Sequence, residues 1–93
     1  MNIRWSPEAA DDLERIVRHI HDANPDAARR VAQTIYDGAS SLTTLPNRGR
    51  PGKYPGSREL VFAPYIVVYR VTGELVEISR VYHSSRDWPL VEG

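Results

Sequence analysis

The spacing of apolar residues in the first half of the chain predicts two helices. Two stretches carry apolar residues every three or four positions, which is the period of an amphipathic helix. The first begins after Ser6-Pro7 and ends near Asp22, and the second begins after Asn24-Pro25 and continues to about Leu45. Serine and asparagine are good N-caps and proline suits the first helical position, so both starts are well marked. Because about three residues separate the helices, they should form an antiparallel hairpin.

Strand patterns lie on either side of this hairpin. Residues 2–5 form a short opening strand, and residues 58–63, 65–71 and 75–82 are rich in β-branched and aromatic side chains. Such side chains fit a pleated, half-buried surface. A short loop that contains Gly73 joins the last two stretches, which is typical of a β-hairpin. The last three strands are therefore expected to form an antiparallel meander.

The predicted order is β-α-α-β-β-β, in a single α+β domain that spans residues 1–93, with the helical hairpin packed on an antiparallel sheet. A strict side-chain period of two places Arg80 and Tyr82 on the same face of the last strand as Val76 and Ile78. The same period places Val81 and His83 on the opposite face. The sheet is expected to contribute these residues to the core: Leu60, Phe62, Val67, Tyr69, Val76 and Ile78.

A loop rich in proline and glycine connects the hairpin to the meander. Residues 46–56 contain three prolines and three glycines and are expected to be irregular. The segment from Arg48 to Arg58 also contains Arg50 and Lys53 but no acidic residue. The whole chain has a net charge of zero, so it lacks the overall positive field of a dedicated nucleic-acid-binding domain. A local basic surface at this loop is the expectation that remains.

Composition narrows the remaining classes of function. The chain has no cysteine, which excludes disulfides and thiolate chemistry and fits a cytoplasmic protein. No apolar run approaches the length of a membrane span, and the N-terminus does not resemble a signal peptide. His19 and His21 are two residues apart on a predicted helix, so they lie on different faces and do not suit a shared metal ion. We therefore expect no metal, no cofactor and no association with a membrane.

His83 is the residue with the clearest catalytic potential, because it lies near Arg80, Tyr82 and Arg86 at the end of the last strand. Histidine can act as a general acid or base, and arginines can bind a phosphodiester. Such a group could cleave RNA without a metal ion. The alternative is a histidine bonded to the backbone at a strand end, with the arginines paired to nearby acidic residues. The candidates for that pairing are Glu59, Glu77 and Asp87.

The order of several short motifs resembles the RelE/ParE superfamily, the toxins of type II toxin–antitoxin modules. The resemblance covers nearly the whole chain, and it implies the same fold that the apolar pattern predicts. The matching motifs are Trp5-Ser6-Pro7-Glu8-Ala9-Ala10, Asp12-Leu13, Gly49-Arg50, Arg58-Glu59-Leu60-Val61, Val68-Tyr69-Arg70-Val71, Val76-Glu77-Ile78, Arg80-Val81-Tyr82-His83 and Arg86-Asp87-Trp88.

The resemblance implies one of two activities. ParE-like members inhibit DNA gyrase, whereas RelE-like members are endoribonucleases that cut mRNA in the ribosomal A site. Ile66 stands where mRNA-cleaving members tend to have arginine, and Ser84 stands where some nucleases have tyrosine, so the ParE-like branch fits better. A gyrase inhibitor would contact its target through Arg50, Lys53, Arg80, Tyr82, His83, Arg86 and Trp88. In a nuclease, His83 would be the acid or base, and Arg58, Arg80 and Arg86 would hold phosphate.

The resemblance also implies partners. A cognate antitoxin is expected to lay an extended or helical segment over the toxin, and the complex is expected to bind operator DNA through the antitoxin. The cellular target is DNA gyrase in the ParE-like interpretation and the ribosome with its mRNA in the RelE-like one. A third interpretation is an inactive module that binds only its antitoxin.

Overall fold

The structure, a computed structural model, describes residues 1–85. The chain forms strand β1 (Asn2–Trp5), helices α1 (Pro7–Ala23) and α2 (Pro25–Ser40), and a short 3₁₀ helix (Ser41–Thr43). Four more strands follow: β2 (Arg50–Pro51), β3 (Ser57–Phe62), β4 (Tyr65–Thr72) and β5 (Leu75–His83). The α+β class and the order of the predicted elements are confirmed.

Local capping explains where the two helices begin. The Ser6 hydroxyl accepts a hydrogen bond from the Ala9 N–H (3.0 Å), and the Asn24 side chain accepts one from the Ala27 N–H (3.0 Å). Each bond satisfies one of the N–H groups that a helix start leaves unpaired. Asn24 also ends α1, since its own N–H bonds to the Ile20 carbonyl. A single residue therefore separates the helices, and the predicted hairpin is confirmed with a shorter connection.

The second helix ends earlier than its apolar pattern indicates. It stops at Ser40 rather than near Leu45, and a 3₁₀ turn follows. The Ser41 hydroxyl donates to the Gly38 carbonyl (2.6 Å), which competes with continued α-helical bonding. Leu42 is completely buried within this turn, so its place in the apolar pattern reflects core packing rather than helix.

The sheet has the strand order β1-β5-β4-β3-β2. Strands β3, β4 and β5 form the predicted antiparallel meander, but β1 pairs with β5 in parallel, so the complete sheet is mixed. The loop predicted to be irregular contributes the two-residue strand β2, in which Arg50 pairs with Glu59 of β3. Neither the parallel pairing of β1 nor the strand β2 can be read from the local sequence, because each depends on residues that are distant in the chain.

A β-bulge in β5 overturns the predicted faces of that strand. The register passes from Tyr69 opposite Ile78 to Val68 opposite Arg80, which leaves Ser79 as the extra residue. As a consequence Val81, rather than Arg80 or Tyr82, continues the buried face that holds Val76 and Ile78. The other predicted core residues are buried, except Phe62, which is partly buried against that core.

The helices cover one face of the sheet. The core that they share with the strands includes Ala9 of α1 together with Ile35 and Ala39 of α2. Both helices also carry exposed polar residues along their outer sides. Within residues 1–85, neither helix combines the length and the apolar content required to cross a lipid bilayer.

Candidate functional site

An open groove lies on the face of the sheet opposite the helices. Strand alternation turns Glu59, Ile66 and Tyr82 to this face, since their neighbours Leu60, Val67 and Val81 point into the core. The groove has a volume of about 530 Å³. It is lined by Arg50, Pro51, Gly52, Lys53, Glu59, Ile66, Tyr82 and Ser84.

A buried carboxylate forms part of the groove wall. Glu59 is 6% exposed, and its Oε1 accepts hydrogen bonds from Nε (3.0 Å) and NH2 (2.9 Å) of Arg50. The pairing of Arg50 with Glu59 across β2 and β3 brings the two side chains together. Burial raises the pKa of Tyr82 above its ordinary value, and the negative charge of Glu59 adds to this effect. At neutral pH, Tyr82 is therefore a neutral phenol beside an internally neutralised ion pair.

The basic loop is fastened to the sheet by two side chains. The Tyr69 hydroxyl accepts a hydrogen bond from the Gly49 N–H (3.0 Å) and donates one to the Pro46 carbonyl (2.8 Å). Arg58 donates to the Gly49 carbonyl (2.7 Å) and to the Asn47 carbonyl (3.4 Å). Arg58 was proposed from sequence as a phosphate ligand, yet its guanidinium binds the loop backbone.

Arg80 is held by a partner that sequence reasoning did not consider. Its Nε lies 2.7 Å from Oδ2 of Asp12, and its Nη2 lies 3.1 Å from Oδ1 of the same residue. Of the acidic residues suggested as partners of the arginines, Glu59 pairs with Arg50 and Glu77 with Arg4, and Asp87 lies outside the described residues. The hydrogen bond to Asp12 raises the pKa of Arg80 above its already high ordinary value. Arg80 thus remains a cation and joins β5 to α1.

His83 lies at the end of β5 on the opposite face from Tyr82. Its ring meets the Tyr65 ring edge-on, with centroids 5.3 Å apart. Its Nδ1 accepts a hydrogen bond from the Ser85 N–H (3.2 Å) and lies 2.7 Å from the Ser85 hydroxyl. Because an N–H donor requires an unprotonated acceptor, the neutral ring carries its proton on Nε2. This geometry matches the strand-end histidine considered as the alternative to a catalytic one.

The structure does not bring the candidate site residues together in one cluster. Arg50, Lys53 and Tyr82 line the groove together, whereas Arg58, Arg80 and His83 have different surroundings. In the sheet register, Arg58 is opposite Tyr69 and His83 is opposite Tyr65, two strands from each other. Standard strand geometry gives a separation on the order of 16 Å between their Cα atoms. Arg86 and Trp88 lie outside the described residues.

Sequence reasoning named Glu59 as a possible partner of an arginine but did not predict that Glu59 and Asp12 are buried, and it gave Asp12 no part in this region. Alternation along β3 could have revealed Glu59, since it must face away from the apolar Leu60. Asp12 had no such signal, because an acid in the first turns of a helix is ordinarily explained by the helix dipole.

Comparison with known proteins identifies the family. Residues 3–88 match the model of the ParE toxin of type II toxin–antitoxin systems, parDE. The chain belongs to the ParE toxin family. It is 42% identical to the protein Y4kP of Sinorhizobium fredii over 91 residues, which cover 96% of this chain and 94% of that protein.

Two solved structures support the same assignment and link this ParE family member to the wider superfamily. A chain of the chromosomal ParDE system from P. aeruginosa is 31% identical, with a TM-score of 0.81, and the match covers 89% of this chain and 95% of that one. A chain of the RelBE2 toxin–antitoxin complex from Mycobacterium tuberculosis is 26% identical, with a TM-score of 0.63 and coverage of 88% and 95%. The predicted RelE/ParE resemblance, closer to ParE, is confirmed.

Proposed function

We propose that this ParE family toxin inhibits DNA gyrase by binding it, without catalysing a reaction, and that a cognate antitoxin neutralises it in the cytoplasm. The observation that carries the proposal is the dispersal of the candidate nuclease residues. A general acid or base must reach the reacting group within hydrogen-bond distance, or through one water molecule. The Cα atoms of His83 and Arg58 are on the order of 16 Å apart in sheet geometry, and the Arg58 guanidinium is already bound to the loop backbone, so the two side chains do not form one assembled catalytic group.

The chemistry of the groove also argues against a phosphate site. The Glu59 carboxylate forms an ion pair with the Arg50 guanidinium and adds a negative charge to the lining of the groove. A carboxylate in a partly enclosed site repels a phosphodiester, because like charges interact more strongly where water is reduced. A protein surface that offers apolar contacts and hydrogen-bond donors suits the groove better, since Ile66 and Tyr82 supply apolar area.

The surface that would contact gyrase is the groove together with the chain that leaves β5. Lys53 and Arg50 supply positive charge at its rim, and Tyr82 is an aromatic residue of the kind enriched at interfaces. Ser84 and Ser85 continue this surface and are exposed. Arg86 and Trp88 remain part of the proposal as the next residues along the chain.

The antitoxin partner follows from the family and from the two neighbours, which come from toxin–antitoxin systems. A segment of the antitoxin could add to the outer edge of β3, because β2 and Gly52 pair with Ser57, Arg58 and Glu59, and no described strand pairs with residues 60–62 on that edge. Val61, 46% exposed, lies on this uncovered part. Operator DNA would be bound by the complex through the antitoxin.

Two assays on the purified protein test the proposal. Inhibited supercoiling by gyrase, with mRNA left intact in a coupled translation reaction, is the expected result. Tyr82→Ala should weaken inhibition, whereas His83→Ala and the control Tyr36→Ala on α2 should retain it. Codon-dependent cleavage of mRNA with normal supercoiling would instead establish the ribosome-dependent nuclease. Silence of a folded protein in both assays would indicate an inactive antitoxin-binding module.

The proposed contribution of Arg86 and Trp88 can be tested in the same supercoiling assay. Removing Arg86 and Trp88 together should reduce inhibition strongly, since arginine and tryptophan are frequent interface hot spots. Full potency of the double variant would contradict their assignment to the target contact.

A further inference from the structure

The last part of β5 loses its outer strand before it ends. Strand β1 pairs with residues 75–78, and β5 then continues to His83. The start of α1 takes over at this point. The Ser6 N–H donates to the Ile78 carbonyl (2.9 Å), and the Ser6 hydroxyl donates to the Ser79 carbonyl (2.9 Å). Helix α1 therefore serves as the lateral partner of β5 at its bulge.

Asp12 provides the next bond along this edge. It is 4% exposed, and its Oδ2 accepts hydrogen bonds from the Val81 N–H (3.0 Å) and from Nε of Arg80 (2.7 Å). Its Oδ1 accepts hydrogen bonds from Nη2 of Arg80 (3.1 Å) and from Nη2 of Arg15 (2.7 Å). The buried charge is thus fully hydrogen-bonded, which is the condition under which a protein tolerates one.

We infer that Asp12 is a positioning residue that selects the bulged register of β5 and so determines which side chains reach the groove. This inference rests on the proposed function for its consequence, but not for its structural claim. A regular strand would alternate without interruption and would turn Tyr82 to the face of Val76 and Ile78. The bulge reverses this outcome: Val81 enters the core and Tyr82 lines the groove.

The contacts of Asp12 favour only the bulged arrangement. The carboxylate bonds the backbone of Val81 and the side chain of the preceding Arg80 at the same time. A shift of one residue would move both donors and break this pair of bonds. On its other side β5 pairs with β4 along its whole length, from Leu75 to His83, so backbone pairing with β4 remains available in a shifted register. The contacts of the present register, Tyr65 opposite His83 and the bond from the Ser84 N–H to the Pro64 carbonyl (2.6 Å), would then be exchanged for those of the shifted one. Loss of Asp12 should therefore change the register without removing the strand.

The absence of natural cysteines allows a direct test of the register. Single cysteines are introduced as Val81→Cys, Tyr82→Cys and Val67→Cys, and the rate of thiol modification is measured. In the parent protein the thiols at positions 81 and 67 should be protected and the thiol at 82 reactive. In Asp12→Asn, the thiol at 81 should react at least about tenfold faster, a change of about 1.4 kcal/mol. The thiol at 67, in the centre of β4, should stay protected.

Matched variants separate positioning from general destabilisation. Arg15→Ala removes a partner of Asp12 whose side chain is 64% exposed, and it should leave all three rates unchanged. The double variant Asp12→Leu/Arg80→Gln removes the acceptor of the Val81 N–H without leaving an unpaired buried charge, and it should reproduce the exposure at 81. Equal protection at 81 in both Asp12 variants would overturn the inference. Equal exposure at 67 and 81 would also overturn it, because Asp12 would then be a general stabiliser.

The supercoiling assay tests the consequence separately. If the parent inhibits gyrase, Asp12→Asn should be about tenfold less potent and Arg15→Ala unchanged. Unchanged potency of Asp12→Asn would refute the functional consequence. A parent that does not inhibit gyrase would refute the proposed function, whereas the thiol rates would still decide the register.

Discussion

Replacing Tyr69 by phenylalanine tests whether the loop that carries the basic residues is held by one buried hydroxyl. The Tyr69 side chain has 0% exposure, and its ring would be retained in the variant. The change removes only the bond accepted from the Gly49 N–H and the bond donated to the Pro46 carbonyl. Stability should therefore fall through lost hydrogen bonding and not through a new cavity.

The two lost bonds differ in their consequences. Gly49 is buried, so its N–H loses its acceptor where water is scarce, at a cost of about 1–3 kcal/mol. Pro46 is half-buried, and water can replace the hydroxyl there at little cost. The expected loss is thus about 2 kcal/mol, a large part of the roughly 5–15 kcal/mol typical of a domain. For a domain of this size, the midpoint of thermal unfolding should fall by about 8–16 °C.

Equilibrium unfolding in urea measures this loss, with Tyr36→Phe as the matched control. Tyr36 is 56% exposed on α2, so removal of its hydroxyl should change the free energy of unfolding by less than about 0.5 kcal/mol. If Tyr69→Phe is no more destabilising than this control, the hydroxyl does not hold the loop. Under the proposed function, looser anchoring at Gly49 should also weaken inhibition of gyrase, since Arg50 follows Gly49 directly and lines the groove.

Three further substitutions give expectations of different kinds. Gly38→Ala should destabilise the fold by about 1 kcal/mol, because the added methyl group would overlap the Phe62 ring and this cost exceeds the gain in helix propensity. In chemical denaturation, this loss of stability should disappear when the same change is made in the variant Phe62→Leu. Tyr82→Phe should reduce the loss of stability above pH 10: with the folded pKa raised, the unfolded tyrosine ionises first, so stability falls as pH rises through that range. Identical pH profiles would contradict this reasoning. Glu59→Gln should strengthen binding of a labelled single-stranded oligonucleotide in low salt by freeing the charge of Arg50, and unchanged affinity would show that Glu59 does not exclude phosphate.

Features encoded within a few residues were predictable from the sequence. The helix starts at Ser6-Pro7 and Asn24-Pro25 depend on side chains that bond to N–H groups three residues ahead. The hairpin between β4 and β5 likewise depends on the local turn at Gly73, whose φ of +60° lies in the region that glycine favours. Because these contacts join residues that are close in sequence, the local sequence is enough to predict them.

The faces of β5 could not be predicted in this way. The bulge depends on Ser6 and Asp12, which bond to residues 68–73 positions away in the chain. Period-two reasoning assumed an uninterrupted ladder and therefore assigned Arg80, Tyr82 and Val81 to the wrong faces. The error concerns the candidate site, since it turned Tyr82 away from the groove that it lines.

The arginines of the second half show that a count of charges does not reveal which side chains are engaged within the protein. All five that lie within the described residues bond to oxygen atoms of the protein itself: Arg48 to Ser41, Arg50 to Glu59, Arg58 to Gly49, Arg70 to Pro55 and Arg80 to Asp12. A guanidinium has five N–H donors in a fixed plane. It can therefore donate hydrogen bonds to carboxylate and carbonyl oxygens of loops and strands that have no partner in the sheet. In a sheet with only one helical layer, such hydrogen bonds can hold loops and ends that a second layer would otherwise cover. These arginines are therefore explained first by the contacts that they make within the protein. Under the proposed function, a partner would be recognised through what those contacts leave accessible: the rim of the groove, the half-buried Tyr82 and the exposed Ser84 and Ser85.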